Sequence, residues 1–207
     1  YEDAQAEQSY LKSYQVWKKL KNQKHIAALE GNLALLYQGM WTEDKDSANK
    51  KNTYLLKARK FQYKSMQRFE HIFKGKLHSN MASAYNNMAV ISYSLKEYET
   101  AVSYYRKAET IRIRLADKIS PGDMSVTYKG LCDSFYSMAC ECKDVRSKIL
   151  RYKYALTYLN DAIAIREEEI KKGNQKWEVR QLQEMYLKID REILSLMEEY
   201  KGQARGD

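Results

Sequence analysis

The sequence predicts an all-α fold, and three observations carry that prediction. The 207 residues include one proline and eight glycines, whereas the short strands of a sandwich or barrel need a breaker roughly every 8–12 residues. Apolar residues recur at three- and four-residue steps over long stretches instead of alternating. One such stretch then repeats along the chain, the mark of stacked supersecondary units. With 44% hydrophobic and 30% charged residues, the chain has enough apolar surface to offset the entropy of ordering, so disorder is disfavoured.

The elements follow in order within a single domain, 1–201. Residues 1–22 form a leading helix on the stripe Ala6, Tyr10, Ser13, Val16 and Leu20. Residues 24–76 form the first hairpin. Its first helix carries Asn32-Leu33-Ala34-Leu35-Leu36-Tyr37, and its second carries Leu55, Ala58, Ser65, Phe69 and Ile72, with Gln62 where an aromatic or leucine is expected. Residues 77–118 form the second hairpin. Ala84-Tyr85-Asn86-Asn87-Met88-Ala89-Val90-Ile91 lies in its first helix, and Tyr98, Ala101, Tyr105, Ala108, Ile111 and Leu115 make one stripe in its second. Residues 121–173 form the third, opening at Pro121, the sole proline, where a helix must start. Thr127-Tyr128-Lys129-Gly130-Leu131-Cys132 echoes the earlier first helices, and Tyr152, Ala155, Leu159, Ala162 and Ile165 echo the second. Insertions in the first and third copies come to roughly three whole helical turns, which predicts elongated hairpins with the stripe unrotated.

A closing helix is predicted over 175–201, where Leu182, Tyr186, Ile189, Ile193, Leu196 and Tyr200 alternate four- and three-residue steps. One-sided burial follows. The helix serves either as the solvating cap of a repeat array or as a homodimer seam through 176–200. Residues 202–207 are expected to fray, and their Arg205-Gly206-Asp207 triplet reads as chance.

The paired stripes resemble the tetratricopeptide repeat, best over 82–117. Met88-Ala89 fits that family's large-then-small pair in the first helix, and Tyr98, Ala101, Tyr105 and Ala108 fit its alternation in the second. Asn86-Asn87-Met88-Ala89 with Tyr104-Tyr105-Arg106-Lys107-Ala108 and Ile111-Arg112 is most similar to the long-period, kinesin-light-chain type. The resemblance implies a right-handed superhelix of hairpins whose first helices line a concave groove for a protein or peptide ligand. Carried over position by position, that groove is lined by Ala28, Gly31, Asn32, Leu35 and Gln38, then by Ser83, Asn86, Asn87, Val90 and Tyr93, then by Val126, Lys129, Gly130, Asp133 and Tyr136. An asparagine amide both donates and accepts, so Asn32 and Asn87 suit a peptide backbone, although first-helix asparagines also satisfy neighbouring helix ends. Lys129 suits a carboxylate, and Tyr93 and Tyr136 supply rigid amphipathic area.

The net charge of +9 is uneven: residues 1–80 hold 15 Lys and Arg against 8 Asp and Glu. Lys50, Lys57, Lys60, Lys64 and Arg68 fall on one side of the 45–76 helix. That stripe either solvates a long helix or docks an acidic protein or nucleic acid; no nucleic-acid motif accompanies it. An enzyme is not expected. His25, His71 and His78 lie apart from any cysteine or carboxylate at ligand or triad spacing, no glycine-rich phosphate loop exists, and Cys140-Glu141-Cys142 has no second thiol pair. No cofactor or metal is expected. No apolar run reaches the about 18 residues that span a bilayer, and the odd, clustered cysteines Cys132, Cys140 and Cys142 do not form a disulfide framework. A soluble, cytoplasmic scaffold or adaptor is the expectation. Tyr1 opens inside a helical stripe without an initiator methionine, so the chain also reads as a piece of a longer protein, in which it could serve as a sensor domain.

Overall fold

The computed structural model describes residues 2–43, 48–173 and 177–206, and among them every regular element is helical. Eight α-helices follow one another: α1 Glu2–Lys19, α2 Gln23–Glu43, α3 Ala48–Phe73, α4 Ser79–Ser94, α5 Tyr98–Arg114, α6 Pro121–Glu141, α7 Val145–Lys171 and α8 Trp177–Gly206. A 3₁₀ turn, Ala116–Lys118, follows α5. The side chain of Lys50 lies outside the described ones, as do the chain around 175 and Asp207. α8 continues through Gly206, past the boundary at 201 read from the sequence.

Helix ends show how so few glycines suffice. Lys21, Lys74 and Lys96 take positive φ at the ends of α1, α3 and α4, the conformation for which glycine is usual. At Lys96 the turn is closed by hydrogen bonds from Lys96 N to Tyr93 O (2.9 Å) and from Glu97 N to Ser92 O (2.9 Å). Starts are capped locally. Asn22 Oδ1 accepts from His25 N at 3.2 Å, His78 Nδ1 accepts from Asn80 N at 3.1 Å, and Asp144 Oδ2 accepts from Ser147 N at 2.8 Å. Each satisfies an amide that a helix leaves unpaired.

Adjacent helices pair as α2 with α3, α4 with α5 and α6 with α7. Each pair is antiparallel. Ala27 meets Ser65, while Tyr37, farther along α2, meets Phe61 and Lys57, earlier in α3. Asn86 meets Arg112 and Tyr93 meets Tyr98; Ser125 meets Ala162 and Tyr136 meets Tyr152. α2 and α3 have 21 and 26 residues and α6 and α7 have 21 and 27, against 16 and 17 for α4 and α5. Fully buried alanines, Ala27, Ala34, Ala58, Ala101, Ala108, Ala155 and Ala162, let the partners approach closely.

The chain divides into two compact units, Tyr1–Ala116 and Asp117–Asp207. In the first, α1 packs on α2 and α3 packs on α4. One core joins Ala27, Met66 and Phe69 to Met81, Met88 and Ile111; another joins Leu33, Ala34, Tyr37 and Ala58 to Ile91. Burying the leucine, isoleucine, methionine and phenylalanine side chains of these cores contributes about 1.5–3 kcal/mol each. In the second unit, α8 packs antiparallel on α7, with Gln183 bonded to Glu167 and Tyr200 to Arg146. Leu182, Ile189 and Ile193 of its apolar seam are buried in this packing.

Candidate functional site

Within the first unit a cleft of about 220 Å³ opens between α2 and α4, with α3 beneath. It gathers Ala28, Gly31, Asn32 and Leu35 from α2 with Ser83 and Asn87 from α4. The helical period explains the grouping. Residues three and four apart share a face, and the pairing α2·α3 with α3·α4 sets the two first helices side by side. Asn32 is exposed and Asn87 half-buried, and among the described residues neither side chain has a hydrogen-bond partner.

The floor comes from α3. Gln62 is 1% exposed, and its Nε2 donates to Ala84 O at 2.9 Å. Ser65 Oγ donates to Ala27 O at 2.7 Å, and Phe69 and Asn80 complete the lining. Periodicity marks Gln62 as a misfit in an apolar stripe but gives it no part in the groove, because the resemblance places only first helices there.

The other candidates lie elsewhere. Asn86 faces inward, buried, and its Oδ1 accepts from Arg112 Nη1 at 3.2 Å. Val90, Tyr93 and Gln38 are half-buried and do not line the cleft, and the Tyr93 ring contacts Tyr98 at 5.4 Å. In the second unit, Lys129 Nζ is bonded to both oxygens of Asp133, at 2.6 and 2.7 Å, one turn along α6. Burial lifts the Asp133 carboxyl above its ordinary range, and Lys129 pulls it the other way. The Tyr136 ring lies against Tyr152 and beneath Lys188 of α8.

The basic stripe separates along α3. Arg68 Nε bonds Glu30 Oε2 at 2.8 Å and its Nη1 bonds Gln23 at 2.6 Å. Glu30 is fully buried and also accepts from Tyr14 Oη at 3.2 Å, tying α1, α2 and α3 together. Lys57 lies over the Tyr37 ring and Lys64 over Phe61, at 4.9 and 5.7 Å. Lys60 turns towards α5 and lines a second opening with Tyr63, Glu97 and Tyr104; among the described residues it has no ion-pair partner.

The histidines and thiols have local explanations. His25 stacks on Trp17 and His78 on Phe73, each at 4.0 Å. Burial, with Asp133 alongside, pushes the Cys132 thiol up to about 12, which keeps it protonated and unreactive. Cys140 Sγ lies 3.6 Å from Tyr152 Oη. Among the described residues no group of three or more His, Cys, Asp or Glu could hold a metal ion, and no helix is long and apolar enough to cross a membrane.

Compared with known proteins, the chain matches no protein-family model and no curated sequence.

Proposed function

We propose that the chain is a non-enzymatic binding scaffold of tetratricopeptide-like hairpins, which receives an extended protein or peptide segment on the face of its first helices. The observation that supports this reading is the pair Asn32 and Asn87. They come from different hairpins, flank one cleft and have no hydrogen-bond partner among the described residues. An amide that both donates and accepts matches the main chain of an extended segment without reading its sequence. Rigid helices hold the two in advance, which lowers the entropic cost of capture.

Selection of linear peptides from a random display library on the purified chain tests the reading. Peptides that bind should lose most of their affinity to Asn32→Ala and Asn87→Ala together, and little to charge reversal at Lys60 and Lys64. The second reading, an acidic partner docked on α3, is favoured by the exposed Lys60, which has no ion-pair partner among the described residues. It predicts the opposite pattern, with affinity falling steeply as salt rises.

A further inference from the structure

We propose that the cleft between α2 and α4 is a subsite for one uncharged, hydrogen-bond-donating side chain, a carboxamide, seated on the amide oxygen of Gln62. The proposal rests on the reading above that this face takes a peptide, and it names what the cleft selects.

Gln62 carries the argument. Its Nε2 donates to the Ala84 carbonyl, which fixes the orientation of the amide, because only the NH₂ end can face an acceptor. Its Oε1 is then left buried, and among the described residues no other buried side-chain nitrogen or oxygen lacks a partner. An acceptor in that state is costly to the fold, and leucine or methionine at this position of the stripe would avoid the cost. The oxygen therefore calls for a donor; Gln62 lines the cleft, and because the oxygen itself is enclosed, a donor from the cleft reaches it as the amide shifts slightly outward.

The walls narrow the choice. Among the described residues no charged side chain lines the cleft. An ammonium or guanidinium would lose water there without gaining a counter-charge, and a carboxylate would set oxygen against oxygen at the floor. A carboxamide is neutral, offers two donors to Oε1 and an acceptor besides, and so matches the amides of Asn32 and Asn87. At about 220 Å³ the cleft is smaller than the roughly 300–1,000 Å³ of sites for whole small molecules, which suits one side chain. Gly31 keeps the wall open. It lies inside α2, where alanine is the better helix former, and the nearest atom to a Cβ built there is Ser65 Oγ at 3.4 Å.

The test is an NMR titration of the whole chain with propanamide, using propanoate and propylammonium as controls of similar shape, up to about 0.5 M because five heavy atoms bind weakly. Propanamide should give saturable shifts in the side-chain amide signals of Gln62, Asn32 and Asn87, and the two ions a response about tenfold weaker. Gln62→Met should remain folded, melt no lower than the parent and lose the response. Gly31→Ala, whose added methyl meets Ser65 Oγ in the lining, should weaken it. Should Gln62→Met fail to fold, Gln62→Leu, the other apolar side chain that suits this position of the stripe, should fold and lose the response. Absence of a saturable shift, an equal response to propanoate, or an undiminished response in Gln62→Met overturns the proposal. Peptide capture that depends on Asn32 and Asn87 while propanamide gives nothing removes the carboxamide subsite and leaves the scaffold. Saturable propanamide binding without peptide capture supports the subsite and removes the scaffold reading.

Discussion

At the scale of single residues, the most consequential side chains of the first unit are two that look like surface charge in the sequence. Glu30 is fully buried, and Arg68 reaches across from α3 to neutralise it while Tyr14 donates from α1. Replacing Arg68 by methionine keeps the packed stem but leaves a buried carboxylate unpaired, and a loss of about 2–4 kcal/mol follows. Adding Glu30→Gln should restore most of it, a coupling that chemical denaturation of the two single variants and the double variant measures. Full loss in the double variant would mean that Arg68 acts through something other than Glu30. His78 supplies a second test. Burial, with Lys24 nearby, holds its imidazole below the ordinary value of 6.5, and the neutral ring caps α4 through Nδ1. The unfolded chain therefore takes up its proton at a higher pH than the folded chain does. The stability from this group is present above about 6.5 and declines as the pH falls through the lower, folded value. His78→Asn caps without titrating, so the difference between its thermal melts at about pH 7.5 and pH 5 should be smaller than the parent's; an unchanged difference would place the acid sensitivity elsewhere.

At the scale of elements, the chain ends its helices with lysines where glycine is the low-strain choice. Lys96 sits at φ 62° in the turn between α4 and α5, where a side chain crowds the following carbonyl. Lys96→Gly should therefore stabilise the α4–α5 pair by about 0.5–1 kcal/mol, read as a higher denaturation midpoint with an unchanged slope; a drop would show that the lysine side chain has a role of its own. These caps also mark how far an element can be read from its residues. The all-helical class was legible because a period of three and four needs no partner to be seen, and the misfit of Gln62 was legible for the same reason. That Lys129 would be engaged by Asp133 was also within reach, since residues one turn apart on a helix meet by geometry alone. The floor of the cleft was not. Gln62 lines it only because α3 packs against α2 and α4 at once, and the ion pair of Arg68 with Glu30 likewise depends on how two helices cross. Likewise, the seam of α8 was visible as one-sided, but the residues alone left open whether a second copy or the same chain would cover it; α8 packs on α7, and Leu182, Ile189 and Ile193 are buried within the chain.

At the scale of the molecule, the candidate site and the two-unit organisation bear on each other. Everything that lines the cleft, from Ala28 to Asn87, belongs to the first unit, as does the network of Tyr14, Glu30 and Arg68 that holds α1 to α3. That unit also has its own cores, which run from Ala27 to Ile111. In helical-hairpin proteins, stability is set by each hairpin and its nearest neighbours rather than by the ends of the chain. Residues 1–116 should then fold without 117–207, with a helical far-UV spectrum and a cooperative melt, and should bind any peptide selected on the whole chain within about threefold of its affinity, since no residue of the cleft has been removed. An unfolded 1–116 segment would show that its cores are too small to stand alone. A folded one that has lost the peptide would place essential contacts in the second unit, with Tyr136 and the half-buried Lys129 as the first side chains to test.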